Sequence, residues 1–395
     1  MGTGARSGKL PDGGAPPAGL DVARLRREEF AALDGVTYLN AASTGPLPER
    51  AIRAQERFTR RRAAPHLISF EEQFGVLARA RQLVAGLVGA RDADIALASN
   101  TGAGINLAAW GLPLGAGDRV VIPDLEYPAG VYPWIAAAQA RGFLLHTVPT
   151  RDGVLDEDAL IAALDEPGVR VLSLSWVGFV TGAVADLARL GDACRARGIW
   201  FIVDAIQGVG AHPLNLAATP VDLLACGAQK WLLSPWGTGF TYVAPGLLET
   251  LTVQPVSWMG VRGSDDFSRL LEYDLTWRDS ARRFEQVTLG YQDFVGMVAS
   301  LELLHELGPA HVAAHITRCA SALLDGAVAR GLAVVTPRDR MAGIVAVRPA
   351  DAAATSRRLD AAGVIHSLRE GTIRLAPHCY TTDEEVARAL DVLAS

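Results

Sequence analysis

Lys230, in Cys226-Gly-Ala-Gln-Lys-Trp-Leu-Leu, stands 26 residues after Asp204, in Ile199-Trp-Phe-Ile-Val-Asp-Ala-Ile-Gln. The aspartate ends one apolar, β-branched stretch and the lysine follows the next, so two strand ends can aim opposite charges into one crevice. That pairing has a definite chemistry. A lysine amine forms a Schiff base with the aldehyde of pyridoxal phosphate (PLP), and a carboxylate keeps the pyridine nitrogen protonated so that the ring can accept electrons from a substrate carbanion. Each residue alone has an ordinary reading, a polar strand end for Asp204 and a surface amine for Lys230. Their joint order along the chain carries the inference.

Two further segments could serve the same chemistry. Asn100-Thr-Gly-Ala-Gly-Ile-Asn follows the apolar run Ile95-Ala-Leu-Ala and precedes a helical stretch, so its glycines, the free N–H groups of the helix start and the Thr101 hydroxyl make an anion cradle. Tyr127, just beyond a strand ending near Pro123, can lay a flat ring on a cofactor face. Each also fits a blander reading, a capped strand-to-helix turn and a loop-covering tyrosine. Neither GxGxxG nor GxxxxGK[ST] occurs, which removes the usual support for nicotinamide or nucleoside triphosphate binding. His311 and His315 stand four apart on a helical stretch, with His305 before them, but no HExxH motif or carboxylate cluster accompanies them, and no metal is expected.

The elements that must position these residues read as α/β. Short β-branched runs (Arg119-Val-Val-Ile-Pro, Arg170-Val-Leu-Ser-Leu-Ser, Trp200-Phe-Ile-Val) alternate with Ala-, Leu- and Arg-rich helical stretches such as Ala185 to Arg197, the signature of a largely parallel sheet. Asp222-Leu-Leu-Ala-Cys and Gly239-Phe-Thr-Tyr-Val are two closely spaced strands, and the loop between them carries Lys230. Residues 1–19, rich in Gly, Pro and Ala, are expected to form a flexible leader. A large domain is expected over 20–260, with its N-terminal segment packing on a smaller α/β C-terminal domain over 261–395.

Half of the residues are hydrophobic, a fifth are charged and the formal net charge is −6, which offers no general attraction to nucleic acid or anionic membrane. No stretch is apolar over the roughly 20 residues needed to span a bilayer. The four cysteines are scattered without a CxxC pair and no signal peptide is apparent, so a reducing cytoplasm is the expected location.

In order along the chain, Tyr38-Leu-Asn-Ala-Ala, Asn100-Thr-Gly-Ala-Gly-Ile-Asn, Glu126-Tyr-Pro, Ser175-Trp-Val-Gly-Phe-Val-Thr-Gly, Asp204-Ala-Ile-Gln, Gln229-Lys230, Phe284-Glu-Gln-Val-Thr and Arg374-Leu-Ala-Pro-His-Cys-Tyr-Thr-Thr-Asp-Glu-Glu make a series that resembles the class V aminotransferase family of fold-type I PLP enzymes, which holds cysteine desulfurases, kynureninases and isopenicillin N epimerases. The resemblance covers nearly all of the chain after the leader. It implies that Lys230 is the Schiff-base lysine and Asp204 the pyridinium partner. Thr101 and the Gly102 amide would hold the phosphate with Gln229 in reach, Tyr127 would stack on the ring, and Gln207 would lie near the cofactor oxygen. Thr288 would reach the phosphate of a neighbouring subunit, which implies a homodimer with shared active sites. Arg374 would clamp the substrate carboxylate, a role its planar fork suits. Asn40 and Ala41, and His378 as an acid or base, complete the implied substrate pocket.

Three departures from the family pattern stand out. Gly178 is aligned with an Asn or Gln that touches the cofactor's phenolic oxygen, Gln229 and Gly227 replace a His and a Ser before the lysine, and the segment from Leu359 to Ile373 lacks a reactive cysteine. Cys379, which follows Arg374, is expected to be a packed free thiol. The implied function is a PLP-dependent aminotransferase, or a desulfurase-like lyase without the catalytic cysteine, acting on the α-amino group of an amino-acid-like substrate that carries a carboxylate. The alternatives are an isopenicillin N epimerase-like racemase and a catalytically silent PLP-fold binding module, the latter motivated by Gly178 and Gln229.

Overall fold

The computed structural model describes residues 19–395, so the expected leader lies, but for Gly19, outside the described residues. Eight strands precede residue 244: β1 (Thr37–Tyr38), β2 (Ile95–Ala98), β3 (Arg119–Pro123), β4 (Leu144–Val148), β5 (Val169–Ser175), β6 (Trp200–Asp204), β7 (Leu223–Gly227) and β8 (Gly239–Val243). All but β1 form one seven-stranded sheet in the order β2-β8-β7-β6-β5-β3-β4. The run from β4 to β7 is parallel, and β8 and β2 add antiparallel pairs. Parallel strands are covered on both faces and so need apolar residues at nearly every position. β6 and β7 meet that demand, with burial over Phe201–Asp204 and over the whole of Leu223–Gly227.

Helices Phe70–Val88, Leu187–Arg195 and Tyr291–Leu307 supply the core on one face of the sheet, and Thr101–Gly111 and Pro128–Arg141 supply it on the other. Helix Thr101–Gly111 lies close to the sheet because Gly104 permits it: a Cβ there would stand 2.6 Å from both Ala225 Cβ and Thr241 Oγ1.

C-terminal to this sheet are β9 (Ala333–Val334), β10 (Val345–Arg348), β11 (Val364–Ile365), β12 (Ser367–Arg369) and β13 (Thr372–Leu375). Four of them form an antiparallel sheet in the order β12-β13-β10-β9, while β11 pairs in parallel with β1. A third apolar cluster joins this sheet to helices Pro309–Ala329 and Asp383–Ala394, the latter opened by a capping box between Thr382 and Glu385. The β1–β11 pair, the Asn40–Ala376 bridge and the Ala41 N–H bond to Ala376 O tie the start of the described chain to its end. That contact brings residues 40–45 beside β13.

One buried ion pair anchors the segment before Thr288. Arg81 Nε and Nη2 donate to Glu285 Oε1 and Oε2, each at 2.7 Å, and Leu97 N donates to the same carboxylate at 2.8 Å. Removing one partner leaves a buried, uncompensated charge. Glu285→Ala should therefore lower unfolding stability by about 3–5 kcal/mol, read as a lower urea midpoint with an unchanged slope.

Candidate active site

Four adjacent parallel strands end at the same edge of the sheet. Tyr127 lies just past the end of β3, Ser175 ends β5, Asp204 ends β6 and Lys230 lies three residues beyond β7. Ser175 and Asp204 are register partners. At a spacing of about 4.8 Å between strands, these ends span a crevice roughly 14 Å wide, in the place where open α/β sheets bind ligands. A cavity of about 110 Å³ occupies it, and Tyr127, Ser175, Asp204, Gln207, Lys230 and Arg374 all line it.

Burial sets the electrostatics. It pushes the Lys230 amine down to about 8; nearby Asp204 opposes the shift, and Arg374 and Arg369 add to it. Burial likewise raises Asp204 to about 6, against the pull of a hydrogen bond from Ile206 N (3.0 Å) and of Lys230. Glu126, behind Ser175, rises to about 7 for the same reason although its carboxylate accepts from Ser175 N at 2.8 Å and from Ser175 Oγ at 2.5 Å. Both Glu126 and Ser175 lie within the sequence motifs Glu126-Tyr-Pro and Ser175-Trp-Val-Gly, neither of which by itself points to a role for them.

Lys230 and Lys9 are the only lysines among 37 basic residues. Wherever charge alone suffices the chain uses arginine, which does not deprotonate, and the one lysine among the described residues stands in the crevice. Its loop is clamped. Gly45 N donates to Gln229 O at 2.8 Å, and a Cβ on Gly45 would lie 2.1 Å from Lys230 O. Trp231 Nε1 donates to Gln207 Oε1 and Gln207 Nε2 to Ala42 O, each at 2.9 Å. Gln207 thus lines the cavity with both ends of its amide engaged.

Tyr127 is 48% exposed, with its ring 5.8 Å from Lys230 Nζ and edge-on to Phe179 at 5.3 Å. It stands free for a flat ligand to cover. Thr101 and Gly102 open the helix behind the crevice, with Asn100 Oδ1 capping Ala103 N. They do not line the same cavity; Gly102 faces a larger one of about 670 Å³. Thr101 Oγ1 accepts from Gly227 N at 2.9 Å, which leaves its own proton free to donate. Gln229 Oε1 is buried without a partner, and fills space that a Cβ on Gly227 would occupy 2.6 Å away. An amine of lowered pKa, a desolvated carboxylate, and a helix N-terminus with a spare hydroxyl proton form a set of groups that fits an aldehyde-bearing pyridine with a phosphate arm.

Arg374 is 3% exposed and makes no ion pair among the described residues. Nε donates to Ser367 Oγ (3.1 Å), Nη1 to Phe179 O (2.8 Å) and Nη2 to Ser43 Oγ (2.9 Å). Of five N–H groups, one on each terminal nitrogen is left, a fork matched to one carboxylate. Burial pushes this guanidinium down to about 10, with Arg369 as the second cause. Ser43 and Arg369, both in the cavity wall, had not been singled out in the sequence.

Other expected residues lie elsewhere. His378 is wholly buried outside the cavity: Cys379 N donates to Nδ1 at 2.7 Å, so Nε2 carries the proton and donates to Trp231 O at 3.0 Å. Burial pushes its pKa down to about 4, so it stays neutral and braces the lysine loop rather than meeting substrate. Gly178 also misses the cavity, because Ser175, Val177 and Phe179 alternate onto the cavity side while a Cβ on Gly178 would face Thr181 and Ala183. Phe179 is the wall residue. Asn40 and Ala41 lie beside β13, Asn40 Oδ1 buried and unpartnered, but the wall itself is formed by Ala42 and Ser43. Thr288 is exposed with φ 60° and touches no part of this cavity. Among the described residues no metal-binding cluster occurs, and no helix is long and apolar enough to cross a membrane.

The family described as Aminotransferase class-V matches residues 37–388. The chain is 32% identical to isopenicillin N epimerase of Streptomyces clavuligerus over 377 residues, covering 91% of this chain and 94% of that one. It is 30% identical over 318 residues to an uncharacterized aminotransferase, YcbU, of Bacillus subtilis, covering 80% and 82%. Among solved structures, a C-DES mutant with glycine covalently linked to the PLP cofactor superposes with a TM-score of 0.86 at 23% identity, over 94% of this chain and 99% of that one.

The lowered amine pKa has a direct readout. Below about pH 8 Lys230 holds a proton and is no nucleophile, so its capture of an aromatic aldehyde, trapped by borohydride and located by peptide mass, should rise through an inflection near pH 8 rather than near 10.5. Asp204→Asn removes the charge that favours the protonated amine, and should move the inflection lower.

Proposed function

Because the chain belongs to the class-V aminotransferase family, we propose that it binds the α-amino group and carboxylate of an amino acid at the crevice of Lys230, Asp204 and Arg374 and catalyses transamination or a lyase reaction there. The fold is fold-type I, the protein is an enzyme and its cofactor is PLP. One observation carries the reading: the only lysine among the described residues, desolvated to a pKa near 8, shares a ring-sized cavity with a buried aspartate and an unpaired buried arginine.

Thr101, the Gly102 amide and Gln229 would hold the phosphate, Asp204 the ring nitrogen and Tyr127 the open ring face. Bound there, PLP supplies an aldehyde carbon and a conjugated ring that takes up the electron pair left at the substrate Cα. Arg374 would receive the α-carboxylate on its remaining donors and so orient the substrate at Cα. Asp204, kept from water, favours a cation beside it and so would keep a ring nitrogen protonated. Lys230, neutral in part near pH 8, takes the Cα proton and returns it.

Lys230 is the only amine among the residues lining the cavity, which Tyr127 and Phe179 also line. No cysteine lines the cavity, and burial pushes the thiols of Cys194 and Cys319 up to about 12 and about 11, which speaks against a thiol relay. The silent-module alternative rested partly on Gly178, which faces away from the cavity. A homodimer is supported by the exposed Thr288 and by apolar side chains left open at Leu271, Tyr273 and Trp236. Four unpaired buried cysteines support a cytoplasmic location.

Incubation with a panel of L-amino acids, with assays for keto acid, ammonia, sulfide and D-isomer, should yield keto acid or an elimination product from at least one. D-isomer alone would make the protein an epimerase. Asp204→Asn should reduce kcat by roughly 10²–10³-fold with little change in KM. Arg374→Gln should instead raise KM for amino acids by roughly 10- to 100-fold.

A further inference from the structure

The hairpin of β12 and β13 brings a second guanidinium to the cavity. Ser367 pairs with Arg374 and Arg369 with Thr372, so all four side chains share one face of the hairpin and the two arginines are diagonal neighbours. The turn between them is tight, with Glu370 at φ 44° and Gly371 at φ 71°, which fixes Arg369 at the rim. Arg369 lines the cavity with Arg374 and Lys230. It makes no ion pair among the described residues, and the one hydrogen bond of its side chain there runs from Nη1 to the carbonyl of its own neighbour Leu368, at 2.9 Å.

The donors do not balance one carboxylate. Arg374 spends three N–H groups on Ser43, Ser367 and Phe179 and keeps one fork, which a single carboxylate fills. Arg369 still holds most of its donors, and its charge disfavours both neighbouring cations. Placing two like charges on one face of a two-stranded hairpin, at the mouth of a cavity, costs free energy unless anions sit between them. The phosphate arm is not that anion, since its candidate holders belong to the helix start at Thr101, beyond this cavity's wall.

We propose that Arg369 binds a second carboxylate, on the substrate's side chain, so that the enzyme selects dicarboxylic amino acids. The inference rests on the amino-acid reading above and names the substrate class for the same site. Arg369 would act in specificity, while Arg374 holds the α-carboxylate common to all substrates.

Calorimetry on the holoenzyme with unreactive acids tests the anion site apart from turnover. Succinate and glutarate should bind at least about tenfold more tightly than propionate and butyrate. Arg369→Gln should erase that preference and leave the monocarboxylates unchanged, whereas Arg374→Gln should weaken both classes. Equal binding of both classes by the wild-type protein, or an Arg369→Gln protein that loses monocarboxylates as well, would overturn the assignment. A parallel titration of the cofactor's absorption band with aspartate, glutamate and alanine separates the two readings. If the band answers alanine as readily as the acidic amino acids, Arg369 has no selective role but the amino-acid reading stands. If the dicarboxylate preference holds and no amino acid moves the band, the anion site stands and the amino-acid reading fails.

Discussion

A primary amine and a carboxylate held out of water in one crevice are what this structure is built around. Neither is comfortable there, since burial drives the Lys230 amine towards neutrality and the Asp204 carboxylate towards its acid. A cofactor that set a cationic nitrogen beside Asp204 and an aldehyde beside Lys230 would relieve both costs at once. Four parallel strand ends are the simplest scaffold that delivers such groups to one place, because backbone hydrogen bonding already fixes their spacing and direction.

Keeping the amine in position falls to contacts far apart in sequence. Gly45 presses its backbone on the carbonyl of Lys230, and His378 donates to the carbonyl of Trp231. The Trp231 indole holds Gln207, which in turn holds Ala42. Residues from the start, middle and end of the described chain therefore meet at the lysine loop. The β1–β11 pair and the bridge from Asn40 to Ala376 make that meeting possible, and the same bridge sets Ser43 against Arg374.

Much of the α/β framework was legible because its determinants are local. The runs at Arg119, Arg170 and Trp200 become β3, β5 and β6 almost to the residue, since buried parallel strands demand continuous apolar sequence. The helix start after Asn100 was legible for a similar reason, its cap and glycines lying within a few residues. Side-chain direction in irregular segments was not. Gly178 and Phe179 are adjacent, and only the path of the chain beyond β5 decides which of them meets the cavity. His378 looked available for acid–base work because it follows Arg374 closely, yet the turn after β13 carries it under Trp231. Arg369 carried no motif, and its place beside Arg374 depends on hairpin register.

What the sequence by itself determined is the layered class and the residue types on offer: one lysine beyond residue 19, an aspartate ending the preceding strand, and the alternation of buried strands with helices. These follow from residue type and short-range periodicity, which no distant contact needs to complete. What only the tertiary structure decided is the wall around that chemistry, meaning which residues face the cavity, which arginine nitrogens remain free and which histidine serves merely as a brace. Those outcomes depend on strand register and on contacts between segments hundreds of residues apart, and neither is encoded in the local pattern of the chain.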